Sequence, residues 1–108
     1  MAELQVAGLS FQAIGELRRV VPRVRQRDKS LADQLVRAAT SVALNIAEGD
    51  TSDPGNRRAR FFTAAGSANE SLAALKAAVA WGYLSPADAE AATSLLRRIL
   101  AILWKLTH

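Results

Sequence analysis

Two polar stripes at helical spacing constrain the fold of this 108-residue chain more than any other feature. The first stripe recurs at steps of three and four residues, which places its members on one face of a helix. Its members are Gln34, Arg37, Ser41, Asn45 and Glu48. The second stripe has the same spacing and consists of Arg60, Thr63, Ser67 and Glu70. Because each polar stripe runs beside an apolar one, the pattern predicts two amphipathic helices that pack together.

An antiparallel hairpin centred near Pro54 would bring the two stripes face to face, with the numbers of facing residues summing to about 108. The facing pairs are then Arg37–Glu70, Ser41–Ser67, Asn45–Thr63 and Glu48–Arg60. These groups are either active-site charges or a structural polar ladder that fixes the helix register. We favour the ladder, because buried polar pairs specify packing more than they add stability. Removing one partner of Arg37–Glu70 should then cost more stability than removing both, by about 1–3 kcal/mol.

Apolar periodicity and turn signals divide the chain into four helices. The predicted helices span approximately 9–22, 30–49, 56–81 and 86–106. We expect Pro22 to end or kink the first helix, Ser30 to cap the second helix and Gly49 to end the second helix. Gly66, inside the third helix, predicts the close approach of another backbone. The chain is therefore expected to form one domain, residues 1–108, of the all-α class, as an antiparallel up-down-up-down four-helix bundle.

The composition favours a cytoplasmic protein without a membrane segment. The chain has no cysteine, and no apolar run approaches the ~20 residues of a membrane span. We also recognise no signal peptide at its N-terminus. Half of the residues are apolar, yet only 6% are aromatic. Because alanine-rich helices bury little area each, we expect self-association to supply additional buried surface.

The basic residues fall into two clusters within a chain of formal net charge +4. The predicted nucleic-acid-binding residues are Arg18, Arg19, Arg23, Arg25, Arg27 and Lys29 in the first cluster and Arg57, Arg58 and Arg60 in the second. These side chains either contact the phosphates of RNA or DNA or form a solvated surface that keeps the bundle soluble. In an up-down bundle the clusters lie about 30 Å apart at opposite ends. Neither contains aromatic residues for base stacking, so we expect no sequence-specific recognition.

The sequence contains no recognisable active site or metal site. The only histidine is His108, a terminal residue that we expect to fray. We find no nucleophile–base pair, glycine-rich phosphate loop or metal-ligand spacing. We therefore expect no catalytic residue, no metal and no cofactor, and predict that the protein is not an enzyme. Trp81 and Trp104 lie near helix ends, where we expect at least one of them to make a subunit contact.

Three local motifs resemble those of a known family. They are Gln34-Leu35-Val36-Arg37-Ala38-Ala39 with Ser41, Asn45-Ile46-Ala47-Glu48-Gly49, and Gly66-Ser67 with Glu70 followed by Gly82-Tyr83-Leu84. This set resembles the four-helix-bundle proteins encoded in intervening sequences of bacterial 23S ribosomal RNA genes. The loop at 50–56 departs from the family pattern, which puts any function carried by that loop in doubt.

The resemblance implies a left-handed bundle that assembles as a homopentameric ring. Related accessory proteins of diversity-generating retroelements share the fold, form pentamers, bind nucleic acid and dock a reverse transcriptase. Two hypotheses follow. The chain is either a non-enzymatic oligomer whose basic rims hold RNA or DNA phosphates non-specifically, or an interaction module that docks a partner protein such as a reverse transcriptase.

Overall fold

Four α-helices account for nearly all of the chain. The computed structural model describes residues 2–108, with side chains from residue 5 onward, so Met1 and the first four side chains of the predicted domain lie outside it. The helices are α1 (Ala2–Arg27), α2 (Lys29–Asp50), α3 (Pro54–Ala80) and α4 (Pro86–Thr107). They pack into a body of 42 × 22 × 20 Å, and the described chain has no strand. The predicted all-α class is confirmed.

Helix α1 is longer at both ends than the apolar pattern predicts. It begins at Ala2 and continues through Pro22 to Arg27. Of the two effects predicted for Pro22, ending or kinking the helix, the first is therefore wrong. Proline removes one backbone hydrogen bond, that to the carbonyl of the residue four positions earlier. Val6 and Val24, which lie on either side of the limits we expected, are both fully buried. Burial of these side chains stabilises the extended helix and offsets the lost bond.

The caps explain where the other helices begin. Asp28 is the only residue between α1 and α2, and its carboxylate accepts the Leu31 amide at 2.9 Å. Ser30 lies inside α2, so Asp28 and not Ser30 is the cap. Ser85 caps α4 as part of a reciprocal capping box with Asp88. Such caps satisfy amides that have no partner within the helix.

Gly49 and Gly66 do not have the roles that we predicted for them. Helix α2 continues through Gly49 to Asp50, and Gly49 is buried. A Cβ added to Gly49 would lie 2.5 Å from Cε1 of Phe61, so the missing side chain lets the Phe61 ring pack against α2. Gly66, which we expected to face another backbone, is exposed, and a Cβ added there would meet no neighbouring atom within 4 Å. The close approach is therefore at Gly49.

The core runs between all four helices, because α1 packs on α2 and α4, and α3 packs on α2 and α4. Its largest fully buried side chains are Phe61, Leu35, Ile46, Leu75, Leu96, Ile99 and Leu103. The buried face of α3 is rich in small residues, including Ala64, Ala68 and Ala78. Small side chains let the helices approach closely. None of the described helices is both long and apolar enough to cross a bilayer.

Candidate functional site

Two of the four polar pairs expected across the α2–α3 seam form, and both fit the predicted register. The hydroxyl oxygens of Ser41 and Ser67 lie 2.8 Å apart. The Arg60 guanidinium lies 2.9 Å from the Glu48 carboxylate. In both pairs the residue numbers sum as the antiparallel hairpin requires. The serine pair is half-buried, whereas the Glu48 and Arg60 side chains are 55% and 50% exposed, so this ion pair is a surface pair of modest strength.

The other two predicted pairs do not form. Asn45 instead donates to the carbonyl and hydroxyl oxygens of Ser41 at 2.9 and 3.0 Å, within its own helix. Thr63 likewise donates to the Ala59 carbonyl at 3.2 Å. Short polar side chains commonly bond to nearby backbone groups, which satisfies them without a partner across the seam.

Arg37 and Glu70 line the same groove as Gln34 but form no ion pair with each other. Both side chains are exposed, so water solvates their charges and neither needs the other. The expectation that removing one partner is worse than removing both therefore does not apply to this pair.

The first basic cluster, Arg18 to Lys29, is partly neutralised by acidic residues from other helices. Its six basic side chains are all exposed. Arg23 forms an ion pair with Asp88 at the start of α4, at 3.0 Å. Arg25 pairs with Asp33 in the first turns of α2. The structure therefore brings two carboxylates to a cluster that, along the sequence, is interrupted only by Asp28.

These contacts lower the pKa values of Asp33 and Asp88. The backbone amide of Ser85, followed by the Arg23 guanidinium and the Ser85 hydroxyl, lowers the pKa of Asp88 to about 2. The Arg25 hydrogen bond lowers the pKa of Asp33 below its usual value. Both acids therefore remain ionised at neutral pH and offset the charges of Arg23 and Arg25.

The second basic cluster, Arg57, Arg58 and Arg60, lies where α3 begins and α4 ends. Arg58 donates through Nε to the Thr107 carbonyl at 3.0 Å. This partner is neutral, and no carboxylate of the described residues balances the charge of Arg58. The guanidinium of Arg57 lies 5.3 Å from the Phe61 ring centroid, within the range of a cation–π contact.

Aromatic side chains accompany both clusters in space, so the expectation that aromatic residues are missing is wrong. At the first cluster, the Arg27 guanidinium lies 5.5 Å from the centroid of Tyr83, which stacks with Trp81. At the second cluster, Arg58 lies 5.5 Å from the centroid of Phe62. The contact between Arg27 and Tyr83 joins residues that are far apart in sequence.

His108 completes an aromatic cluster with Phe62 and Trp104 at the second basic cluster. The His108 ring stacks on Trp104 with centroids 4.2 Å apart and planes 5° apart, and meets Phe62 edge-on at 5.7 Å. Its backbone amide donates to the Trp104 carbonyl at 3.0 Å. These ring contacts and the helical hydrogen bond oppose the fraying that we expected for His108.

The two basic clusters lie at opposite ends of α4. Arg23 of the first contacts Asp88, and Arg58 of the second contacts Thr107. At about 1.5 Å per residue, α4 places these two contact points about 28 Å apart. No compact site on one chain unites all nine basic side chains.

An apolar groove lies between α1 and α2. It encloses about 320 Å³ and is lined by Ile14, Leu17, Arg18, Val21, Pro22, Val36, Ala39 and Thr40. Phe11 on α1 is 62% exposed, and Leu44 on α2 is 56% exposed. Large exposed apolar side chains on neighbouring helices are typical of a surface that another macromolecule covers. Among the described residues, no group of three or more His, Cys, Asp or Glu could hold a metal ion.

Sequence periodicity alone missed the acidic partners and the aromatic contacts. A usable signal existed for Asp88, because Ser85-Pro86 with an acid three residues after the serine is a capping box at a helix start. No such signal existed for Tyr83 beneath Arg27 or Phe62 beside His108. Those contacts require the helix ends to be placed relative to one another.

Comparison with known proteins gives a family and a fold. The family model for the 23S rRNA-intervening sequence protein matches residues 2–105. A crystal structure of a protein of unknown function from the S23 ribosomal protein family, from Bacteroides thetaiotaomicron, is 19% identical and superposes with a TM-score of 0.89. The match covers 99% of this chain and 98% of that one. No match was found among curated proteins.

Proposed function

Because the chain belongs to the 23S rRNA-intervening sequence protein family, whose motifs its sequence carries, we propose that it is a non-enzymatic, oligomeric bundle protein that binds RNA or DNA phosphates. Binding is non-specific and uses exposed basic side chains at the two ends of the bundle. The chain acts in the cytoplasm and needs no cofactor. These statements go beyond the family match, which carries no activity with it.

The observation that carries this proposal is a set of exposed basic side chains without a carboxylate partner. Within the two basic clusters, five exposed side chains form no ion pair with a described residue; they are Arg18, Arg19, Arg27, Lys29 and Arg58. A charge that is not offset within the protein is available to a phosphate, and each phosphate contact releases bound counterions. Arg23, Arg25 and Arg60 already contact acids and contribute less.

Assembly of several copies would multiply these charges. We infer an up-down-up-down bundle, because the end of α1 contacts the start of α2, the end of α2 contacts the start of α3, and the end of α4 contacts the start of α3. We infer that the bundle is left-handed, as the family resemblance implies. We further infer a homopentameric ring, as the family resemblance implies, with the α1–α2 groove covered by a neighbouring copy. In such a ring each end of the bundle becomes a rim of repeated basic clusters, suited to a long phosphate backbone.

Binding of a fluorescent RNA, followed by anisotropy at increasing salt, tests the proposal. The affinity should fall steeply with salt, because counterion release dominates non-specific binding. The double variant Arg19→Gln/Lys29→Gln should weaken binding and reduce the slope of log affinity against log salt by up to about 2.

The matched control is Arg23→Gln/Arg25→Gln, which removes the same formal charge from side chains that are already paired. It should change the slope less. Absence of binding at low salt, or binding that does not respond to salt, would refute the proposed function.

A second candidate function is docking of a partner protein, and the apolar α1–α2 groove favours it. Under this interpretation the charge is incidental and a partner such as a reverse transcriptase covers Phe11 and Leu44. Gene position separates the two functions. A neighbouring reverse transcriptase gene would support docking, whereas a position inside a ribosomal RNA gene would support the nucleic-acid function.

A further inference from the structure

The aromatic cluster formed by Phe62, Trp104 and His108 has an arrangement suited to flat ligands. Trp104 is 62% exposed although His108 stacks on one face of its indole. The exposed area therefore lies on the rest of the ring. Phe62 is 45% exposed and continues the aromatic surface beyond His108.

The side chains of this cluster are held in place before any ligand binds. His108 contacts both Trp104 and Phe62, and Arg58 lies over Phe62 while its Nε donates to the Thr107 carbonyl. A tryptophan held by a stacked partner loses little further freedom when a second ring stacks on it. The arrangement is thus organised in advance.

Positive charge that is not offset lies directly beside these rings. Arg58, which lies over Phe62, has no carboxylate partner among the described residues. Lys105, which follows Trp104 in the sequence of α4, is exposed and forms no ion pair with a described residue. A nucleic-acid strand presents bases and phosphates together, and single-strand binding sites combine stacking rings with basic side chains. Exposed rings beside a guanidinium that no described carboxylate neutralises match both features of such a ligand.

We propose that the Phe62–Trp104–His108 cluster binds unpaired nucleobases of single-stranded RNA or DNA by stacking, with Arg58 and Lys105 contacting the adjoining phosphates. This inference rests on the proposed function and narrows its ligand from any phosphate backbone to strands whose bases are free. A base stacks on Trp104, and the strand continues along the start of α3. Because every base has a flat face, this contact confers no sequence preference.

At the opposite end of the bundle, a carboxylate lies beside the stacked rings. Trp81 and Tyr83 also stack, but Tyr83 donates to the Asp28 carboxylate at 3.4 Å. A carboxylate beside the rings repels a phosphate. Trp81, which is 70% exposed, therefore provides a matched control for Trp104.

The test compares a labelled single strand of about 12 nucleotides, within the site sizes of single-strand binders, with an abasic strand of equal phosphate count. The intact strand should bind roughly 5- to 100-fold more tightly, because each stacked base adds affinity. Trp104→Leu should abolish this difference without changing the salt slope, and Trp104→Phe should restore part of it. Trp81→Leu should leave it nearly unchanged.

Fluorescence gives a readout that a structural role for Trp104 would not produce. The chain has two tryptophans, so in Trp81→Phe the emission comes from Trp104 alone. The intact strand should quench this emission and the abasic strand should not. Equal affinity for the two strands with a normal salt slope would overturn the stacking inference and leave the proposed function standing.

Loss of binding to both strands at low salt would instead overturn the proposed function and the stacking inference together. A change of native mass in Trp104→Leu would also overturn the stacking inference, because Trp104 would then be a contact between subunits.

Discussion

At the scale of single residues, the absence of a side chain at Gly49 lets the Phe61 ring pack against α2. Gly49 and Phe61 come together on α2 and α3, and any Cβ at position 49 would overlap the ring. The ring belongs to a fully buried residue in a close-packed core, so it has little room to move. Glycine is therefore required at position 49 by packing and not by backbone conformation.

We predict that Gly49→Ala destabilises the protein by about 1–3 kcal/mol, the usual cost of overpacking a core. Urea unfolding followed by circular dichroism measures the change. Gly66→Ala is the control, because position 66 is exposed and open, and alanine there should stabilise α3 by about 0.5–1 kcal/mol. Equal effects of the two variants would contradict the packing argument.

Asp88 gives the stability of the fold a dependence on pH. The Ser85 amide, and then Arg23, holds the pKa of this carboxyl at about 2 in the folded protein, against 3.8 for the free group. A carboxyl with a depressed folded pKa stabilises the fold above its unfolded pKa, and this contribution is lost as the pH falls through the folded value.

We therefore predict that Asp88→Asn has a lower urea midpoint than the wild-type protein near neutral pH. The two midpoints should converge between about pH 4 and pH 2. Unfolding curves across this range measure the difference. A midpoint difference that stays constant down to pH 2 would show that the charge of Asp88 contributes nothing.

At the scale of helices, the α2–α3 seam is fixed by one half-buried polar contact with weaker contacts around it. Ser41 and Ser67 bond across the seam, and Asn45 supports Ser41 from the same helix. Arg37 and Glu70 share the groove without touching. A double-mutant cycle separates these two situations, because only residues in contact show coupling.

For Ser41→Ala and Ser67→Ala we predict coupling of about 0.5–1.5 kcal/mol, the net value of a partly buried hydrogen bond. For Arg37→Ala and Glu70→Ala the effects should add to within about 0.5 kcal/mol. Denaturant unfolding of the single and double variants gives both values. Stronger coupling in the charged pair than in the serine pair would reverse our assignment of the contact that fixes the register.

The spacing of the polar stripes predicted this contact because helical period and hairpin direction together decide which residues face each other. The same reasoning failed for Asn45 and Thr63, since period places a side chain on a face but does not choose its hydrogen-bond partner. It also failed at Pro22, where burial of Val24 outweighs a local helix-breaking signal. The candidate site was predictable only as a set of basic residues.

At the scale of the whole molecule, the arrangement of the helices decides which of these charges are available. Asp33 and Asp88 reach the first cluster only because the starts of α2 and α4 lie beside the end of α1. Tyr83 meets Arg27 for the same reason. The contacts of Arg23 with Asp88 and of Arg27 with Tyr83 join residues far apart in sequence, and no local sequence pattern encodes them.

We expect the exposed apolar side chains of α1 and α2 to contact a neighbouring copy of the chain. We predict that Leu44→Ser lowers the native mass measured by mass spectrometry, because it removes an apolar contact between copies while leaving the core of each bundle intact. Ala101→Ser, at an exposed position of α4, is the control and should leave the mass unchanged. A monomeric wild-type protein would contradict the proposed ring.

The distance between the two basic clusters, which lie near opposite ends of α4, sets the length that a ligand needs to contact both. A strand that keeps the duplex rise of about 3.4 Å per nucleotide needs about eight nucleotides to reach from one cluster to the other along a single chain, and a more extended single strand needs fewer. A shorter fragment engages only one end at a time, and its affinity reports that end alone. Length, as well as charge, therefore determines how firmly a polynucleotide is held.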